Sequence, residues 1–234
     1  MRAHDIRATT AGVLFIAATA TSLIGTAFLG SLLKGPGFLA AVALHQNRLL
    51  AAALFQLLAA FTSAAIAVTL YPMLRQHAAG TALGAVAFRV IEGVFYTLSA
   101  VGTLILVSLS GQLVAGASAH ASADLVRDLR DSAGTVGVLA FCTGATLYYL
   151  IFYRSRLIPR WLSVWGLAGT MLCLTADLLV LFQSITMLSS TQVVLSLPMG
   201  VQEMVLAVWL IVKGFSPKAQ AKSPAPTVAE LHPA

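Results

Sequence analysis

The chain has 234 residues, of which 59% are hydrophobic and only 9% charged, and its formal net charge is +6. Its mean hydropathy of +0.89 excludes an ordinary soluble domain, in which about a quarter of the residues are charged. A pI near 9.8 does not make it a nucleic-acid binder, because the basic residues lie in connections and tail, without a cluster of interleaved aromatics.

Six windows reach the ~20 apolar residues that a helix needs to cross about 30 Å of hydrocarbon. They fall at 10–33, 49–74, 82–110, 133–153, 161–183 and 193–212. The runs are long, rich in Ala and Leu, and lack alternation at period two, which predicts helices rather than barrel strands. The first is too long for the apolar core of a signal peptide and reads as a retained span. The expected fold is therefore an all-α membrane protein, a bundle of six transmembrane helices over residues 1–214.

The connections differ in character. Between the third and fourth windows, Leu125, Val126 and Leu129 share a face opposite Asp124, Asp128 and Asp131, which predicts a short amphipathic helix at the outer interface. Arg154 to Arg160 form a tight basic turn in which Pro159 stops one helix before the next. Residues 215–234, with Pro217, Pro224, Pro226 and Pro233, lack the apolar content to fold and read as a disordered cytoplasmic tail. With the N-terminus inside, nine Lys and Arg residues lie on the cytoplasmic side and four (Lys34, Arg48, Arg127 and Arg130) on the other. The positive-inside rule thus places both termini in the cytoplasm. Trp161, Trp165 and Trp209 fit an aromatic belt at that face.

Four ionisable side chains fall inside the windows: Arg89, Glu92, Asp177 and Glu203. Each costs at least ~2.5–3.5 kcal/mol at membrane depth, so such groups normally face a bundle interior and find partners. At about 100° per residue, Arg89, Glu92, Tyr96, Ser99 and Thr103 form one stripe on the third span. Gly166, Thr170, Cys173, Asp177 and Ser184 form another on the fifth, and Ser196, Gly200, Glu203 and Ala207 a third on the sixth. Gln56 and Ser63 on the second span face the same interior. Glu92 and Glu203 come out at similar depth near the midplane, with Arg89 a turn below and Asp177 in the outer third. Three acids and one base leave at least one carboxylate protonated or hydrated. Pro198 is expected to kink the sixth helix rather than break it.

No phosphate-binding glycine loop, His-Glu-x-x-His signature or Gly-x-Ser-x-Gly elbow is present. Cys142 and Cys173, both in apolar windows, give neither a disulfide framework nor metal-ligand spacing. No cofactor or metal is expected. The lack of an internal repeat disfavours an inverted-repeat transporter. The favoured reading is transport of a small solute or ion that uses buried carboxylates at the midplane. The alternative is a non-catalytic membrane scaffold or partner protein in which Arg89, Glu92 and Glu203 form a structural ionic lock. An intramembrane enzyme ranks last, for want of a nucleophile or metal set. The partners expected are the lipid bilayer and a small molecule or ion, not nucleic acid, and oligomerisation stays open.

Phe88-Arg89-Val90-Ile91-Glu92, the turn Tyr149 to Ser155 with Pro159, Leu197-Pro198 before Glu203, and Trp209 to Gly214 make a distinctive set. With Arg7 and Ala11-Gly12 at the start, the chain resembles the bacterial six-span family described as domain of unknown function 4386, over nearly its whole length up to Gly214. The resemblance implies a multi-pass protein of the bacterial plasma (inner) membrane in which Arg89, Glu92 and Glu203 match motif positions. It implies no activity.

Overall fold

The computed structural model describes residues 6–35, 37–114 and 120–217, and these form helices and turns without a strand. The helices are α1 (Ile6–Leu29), α2 (Phe38–Leu44), α3 (Gln46–Val114), α4 (His120–Ser155), α5 (Arg160–Leu181) and α6 (Ser190–Val212). All except the seven-residue α2 are long and apolar enough to cross a membrane, so five helices qualify.

The difference from six windows lies in α3. It takes up the windows 49–74 and 82–110 in 69 residues, and its backbone leaves helical geometry at Ala78 (φ −161°, ψ 82°). That residue divides it into two limbs, 46–77 and 79–114. The limbs run antiparallel, since Gln46 bonds Ser110, Gln56 bonds Ser99 and Ser63 bonds Arg89. Ala78 itself is neither Gly nor Pro, and the extended φ strains no residue type. Pro72 sits inside the first limb without breaking it.

Other boundaries also moved. The amphipathic segment 122–131 is no separate interface helix but the first part of the 36-residue α4. At 1.5 Å per residue α4 is about 54 Å long, so it extends well beyond a ~30 Å hydrocarbon layer. Leu125 and Leu129 remain exposed, while Ala123 and half-buried Val126 pack under α2. The short α2 was not foreseen. Phe38 lies under the Arg127 guanidinium, 4.6 Å from it, and joins Leu39, Val42, Leu49 and Leu106 in a small second core. α5 stops at Leu181, which leaves Ser184 in the following turn, off the stripe assigned to it. α6 continues through Pro198, as a tolerated proline would. Phe215, assigned to the tail, is buried against Phe152 at a ring distance of 6.2 Å, and Ser216 N–H donates to the Leu157 carbonyl at 2.8 Å. The remainder of the expected tail, 218–234, lies outside the described residues.

The limbs close into a ring: α1 touches both α3 and α6, α3 packs on α4, α4 on α5, and α5 on α6. Small residues allow the closest approaches. A Cβ on Gly12 would stand 2.6 Å from the Ala207 carbonyl oxygen, and one on Gly169 would be 3.0 Å from Met199 Cα. One end of the ring gathers Ala78 and the basic turn 156–159. The other carries α2, the start of α4 and the connection 182–189.

Candidate functional site

Arg89 organises the middle of the ring. Its Nη1 donates to Glu92 Oε2 at 2.9 Å and to Ser63 Oγ at 3.1 Å. Its Nη2 stands 3.7 Å from Glu203 Oε1, too far for a hydrogen bond but close enough for attraction. The guanidinium lies over the Phe141 ring at 4.8 Å and the Tyr148 ring at 5.5 Å. Arg89 and Glu92 are buried, at 2% and 3% exposure. A carboxylate, a hydroxyl and two ring faces hold the planar cation, although its buried Nε has no hydrogen-bond partner among the described residues.

Above this cluster the ring is hollow. A cavity of about 450 Å³ is bordered by α1, both limbs of α3, α4, α5 and α6. Every residue of the third-span stripe borders it, together with Gln56, Ser63, Cys173, Asp177, Ser196, Gly200 and Glu203. Asp177 thus borders the same interior as Glu92 and Glu203, whereas Gly166 of the fifth-span stripe lies against Tyr149. Asp177 is 1% exposed, and neither of its carboxylate oxygens has a hydrogen-bond partner among the described residues. Oε1 of Glu203 likewise has none.

Towards the α2 end the cavity reaches Arg130, Asp131, Met187 and Leu188, which also border a second hollow of about 780 Å³ beneath the connection 30–39. Arg130 Nε donates to Thr103 Oγ1 at 2.8 Å, and its Nη1 pairs with Asp131. Arg130, Asp131, Met187 and Leu188 thus stand between the two hollows, on the side of the cavity away from Glu203. The opposite end is shut. Tyr148 and Tyr149 pack with their rings tilted at 55° and 4.5 Å apart, and Tyr148 meets Phe15 edge-on at 6.5 Å. Tyr149 hydroxyl donates to Gln202 Oε1, whose Nε2 donates to the Leu162 carbonyl at 3.1 Å. These side chains are buried, with Phe152, Leu206 and Leu210 packed among them.

Several wall residues were not anticipated. Thr19, Ser22 and Thr26 of α1 border the cavity, and their spacing along one face of an otherwise apolar helix was a readable signal. Arg130 had been placed in an outer loop, and nothing in its local sequence marks it as a wall residue. Gln202, beside Glu203 on α6, is the bonded partner of Tyr149. Ala207 faces Gly12 rather than the cavity. No group of three or more His, Cys, Asp or Glu side chains that could hold a metal ion occurs among the described residues.

The family model for the Domain of unknown function (DUF4386) matches residues 10–214, and the chain belongs to that family. No curated protein matches. Neither does any solved structure.

Proposed function

We propose that this member of the family is a small transporter in the bacterial plasma membrane that moves a small solute or ion through a one-sided cavity ending on midplane carboxylates. In this reading the two limbs of α3 cross separately, which gives six spans with both termini in the cytoplasm. Support for six comes from the length of α3, 69 residues or about 104 Å, against a ~30 Å layer, and from its antiparallel limbs. The Lys and Arg asymmetry supports the orientation. On that orientation the cavity opens to the outside.

The observation that carries the proposal is that the cavity reaches Glu92 and Glu203. A structural lock has no use for a space of about 450 Å³ around its charges, whereas a carrier needs its ionisable groups reachable from one side at a time. The aromatic packing at the other end supplies the closed side. The directly bonded Arg89, Glu92 and Ser63 favour the second reading, a scaffold held by an ionic lock, for that part of the site alone.

The test is flux. Purified protein in liposomes is expected to move a proton or small solute under a pH gradient, and Glu203→Gln to reduce that flux to the level of empty liposomes while melting and elution stay as in wild type. Undiminished flux in a folded Glu203→Gln variant overturns the mechanism.

Topology is checked separately. In a background without Cys142 and Cys173, a cysteine at Ser122 is expected to react with an impermeant maleimide in intact cells. A cysteine at Arg156 is expected to react only after lysis. Both positions are exposed in the structure, so the reverse pattern would invert the assignment of sides.

A further inference from the structure

We propose that the cavity binds a small organic ammonium ion, with its charged head against Glu203 and its apolar part directed into the gap between α1 and α6. The proposal rests on the preceding reading only in that the cavity is reached from one side.

Charge is the first argument. The described side chains bordering the cavity include two cations, Arg89 and Arg130, and four carboxylates, Glu92, Asp131, Asp177 and Glu203. Each arginine already bonds its own acid, Arg89 with Glu92 and Arg130 with Asp131. Asp177 has no hydrogen bond from the described residues, and Glu203 Oε1 has none either, only the longer 3.7 Å attraction to an Arg89 already bonded to Glu92. A low-dielectric hollow with spare carboxylates attracts a cation or a proton. Of the two carboxylates, Glu203 has the more accessible side chain, 13% exposed against 1% for Asp177. Asp177, buried at the same cavity, adds its field.

The nature of the walls selects the cation. Divalent metal ions require several oxygen ligands, and the described residues gather no group of three or more His, Cys, Asp or Glu side chains that could hold one. Phe15, Ile66, Val138, Met187 and Val193 instead present apolar surface. Tyr96, half-buried, borders the cavity and adds an aromatic ring to its wall. The volume falls in the range of ordinary ligand pockets, ~300–1,000 Å³.

Shape provides the third argument. α1 and α6 touch closely where Gly12 meets Ala207, yet a Cβ on Gly200 would have no atom within 4 Å. Ser22 and Thr26 border the cavity and are nevertheless exposed. The two helices therefore part towards the α2 end and leave room for an apolar substituent.

Isothermal titration with benzylammonium chloride, using the full chain in phosphatidylcholine nanodiscs and empty nanodiscs as blank, tests the proposal. Benzyl alcohol serves as the uncharged analogue. Benzylammonium is expected to bind about thirtyfold or more tightly than the alcohol. Glu203→Gln should abolish that preference, and Asp177→Asn should weaken it. Gly200→Leu, which fills the hollow without removing a charge, should remove binding of both compounds and keeps the test decisive if Glu203→Gln does not fold. Equal affinity for the two compounds, no binding of either, or benzylammonium binding that survives in Gly200→Leu overturns the proposal. No gradient is applied, so ammonium-selective binding without flux would leave this site standing and remove the transport reading. Flux without selective binding would do the reverse.

Discussion

Arg89→Ala is expected to destabilise the folded bundle by about 3–5 kcal/mol, the usual cost of removing one member of a buried ion pair. The loss has three sources. Glu92 loses the cation 2.9 Å away, Ser63 loses a donor, and the ring faces of Phe141 and Tyr148 lose the guanidinium stacked on them. Which acid matters more can be separated, because the two stand differently. Glu92 is hydrogen-bonded to Arg89, whereas Glu203 is only attracted to it at 3.7 Å. Arg89→Met with Glu92→Gln is therefore expected to recover most of the loss, since a neutral pair of similar volume leaves no stranded charge. Arg89→Met with Glu203→Gln should recover less. Melting of the single and double variants in one detergent gives both coupling energies. Additive effects for Arg89 and Glu92 would mean that the pair contributes nothing as a pair, and the lock would have to be abandoned.

The polar interior was legible because its residues are costly in lipid and periodic. Arg89, Glu92, Tyr96, Ser99 and Thr103 recur on one helical face, and a bundle has one interior to receive them. The all-helical membrane-like fold was also legible, since hydropathy marks apolar length directly, although two of the six windows lie in the single element α3. The breaks were harder. Ala78 turns a long helix back on itself without a glycine or proline at the turning residue, so only packing of the two limbs against each other sets the position. The joining of 122–131 to the fourth window went unread for the opposite reason. Nothing breaks a helix between Asp131 and Gly134, and an amphipathic stretch followed by an apolar one looks like two elements when each is judged by its own face. Side-chain partners across the ring, such as Tyr149 with Gln202 or Arg130 with Thr103, depend on helix rotation, which no single segment encodes.

The unequal spacing of α1 and α6 yields the last prediction. At Gly12 the nearest obstacle to a side chain is the Ala207 carbonyl oxygen at 2.6 Å, with Ile211 Cγ1 at 2.7 Å. A backbone oxygen cannot rotate aside, so Gly12→Val must push the helices apart. Overpacking commonly costs about 1–3 kcal/mol, and a site blocked by backbone is expected at or above the top of that range. Gly200→Val is the matched control on the partner helix. Its Cβ meets nothing within 4 Å, and the gain in helix propensity over glycine, ~0.5 kcal/mol or less for a β-branched residue, leaves stability near wild type. Melting temperatures of the two variants should therefore fall far apart, with Gly12→Val the lower. The functional consequence points the same way. Gly12 lies at the shut end, beside the aromatic packing around Tyr148 and Phe15, so wedging α1 from α6 there is expected to loosen the closed side of the cavity. In liposomes this reads as proton leak without solute dependence. A Gly12→Val variant that melts with wild type and does not leak would show that the closure at this end does not depend on the contact of α1 with α6.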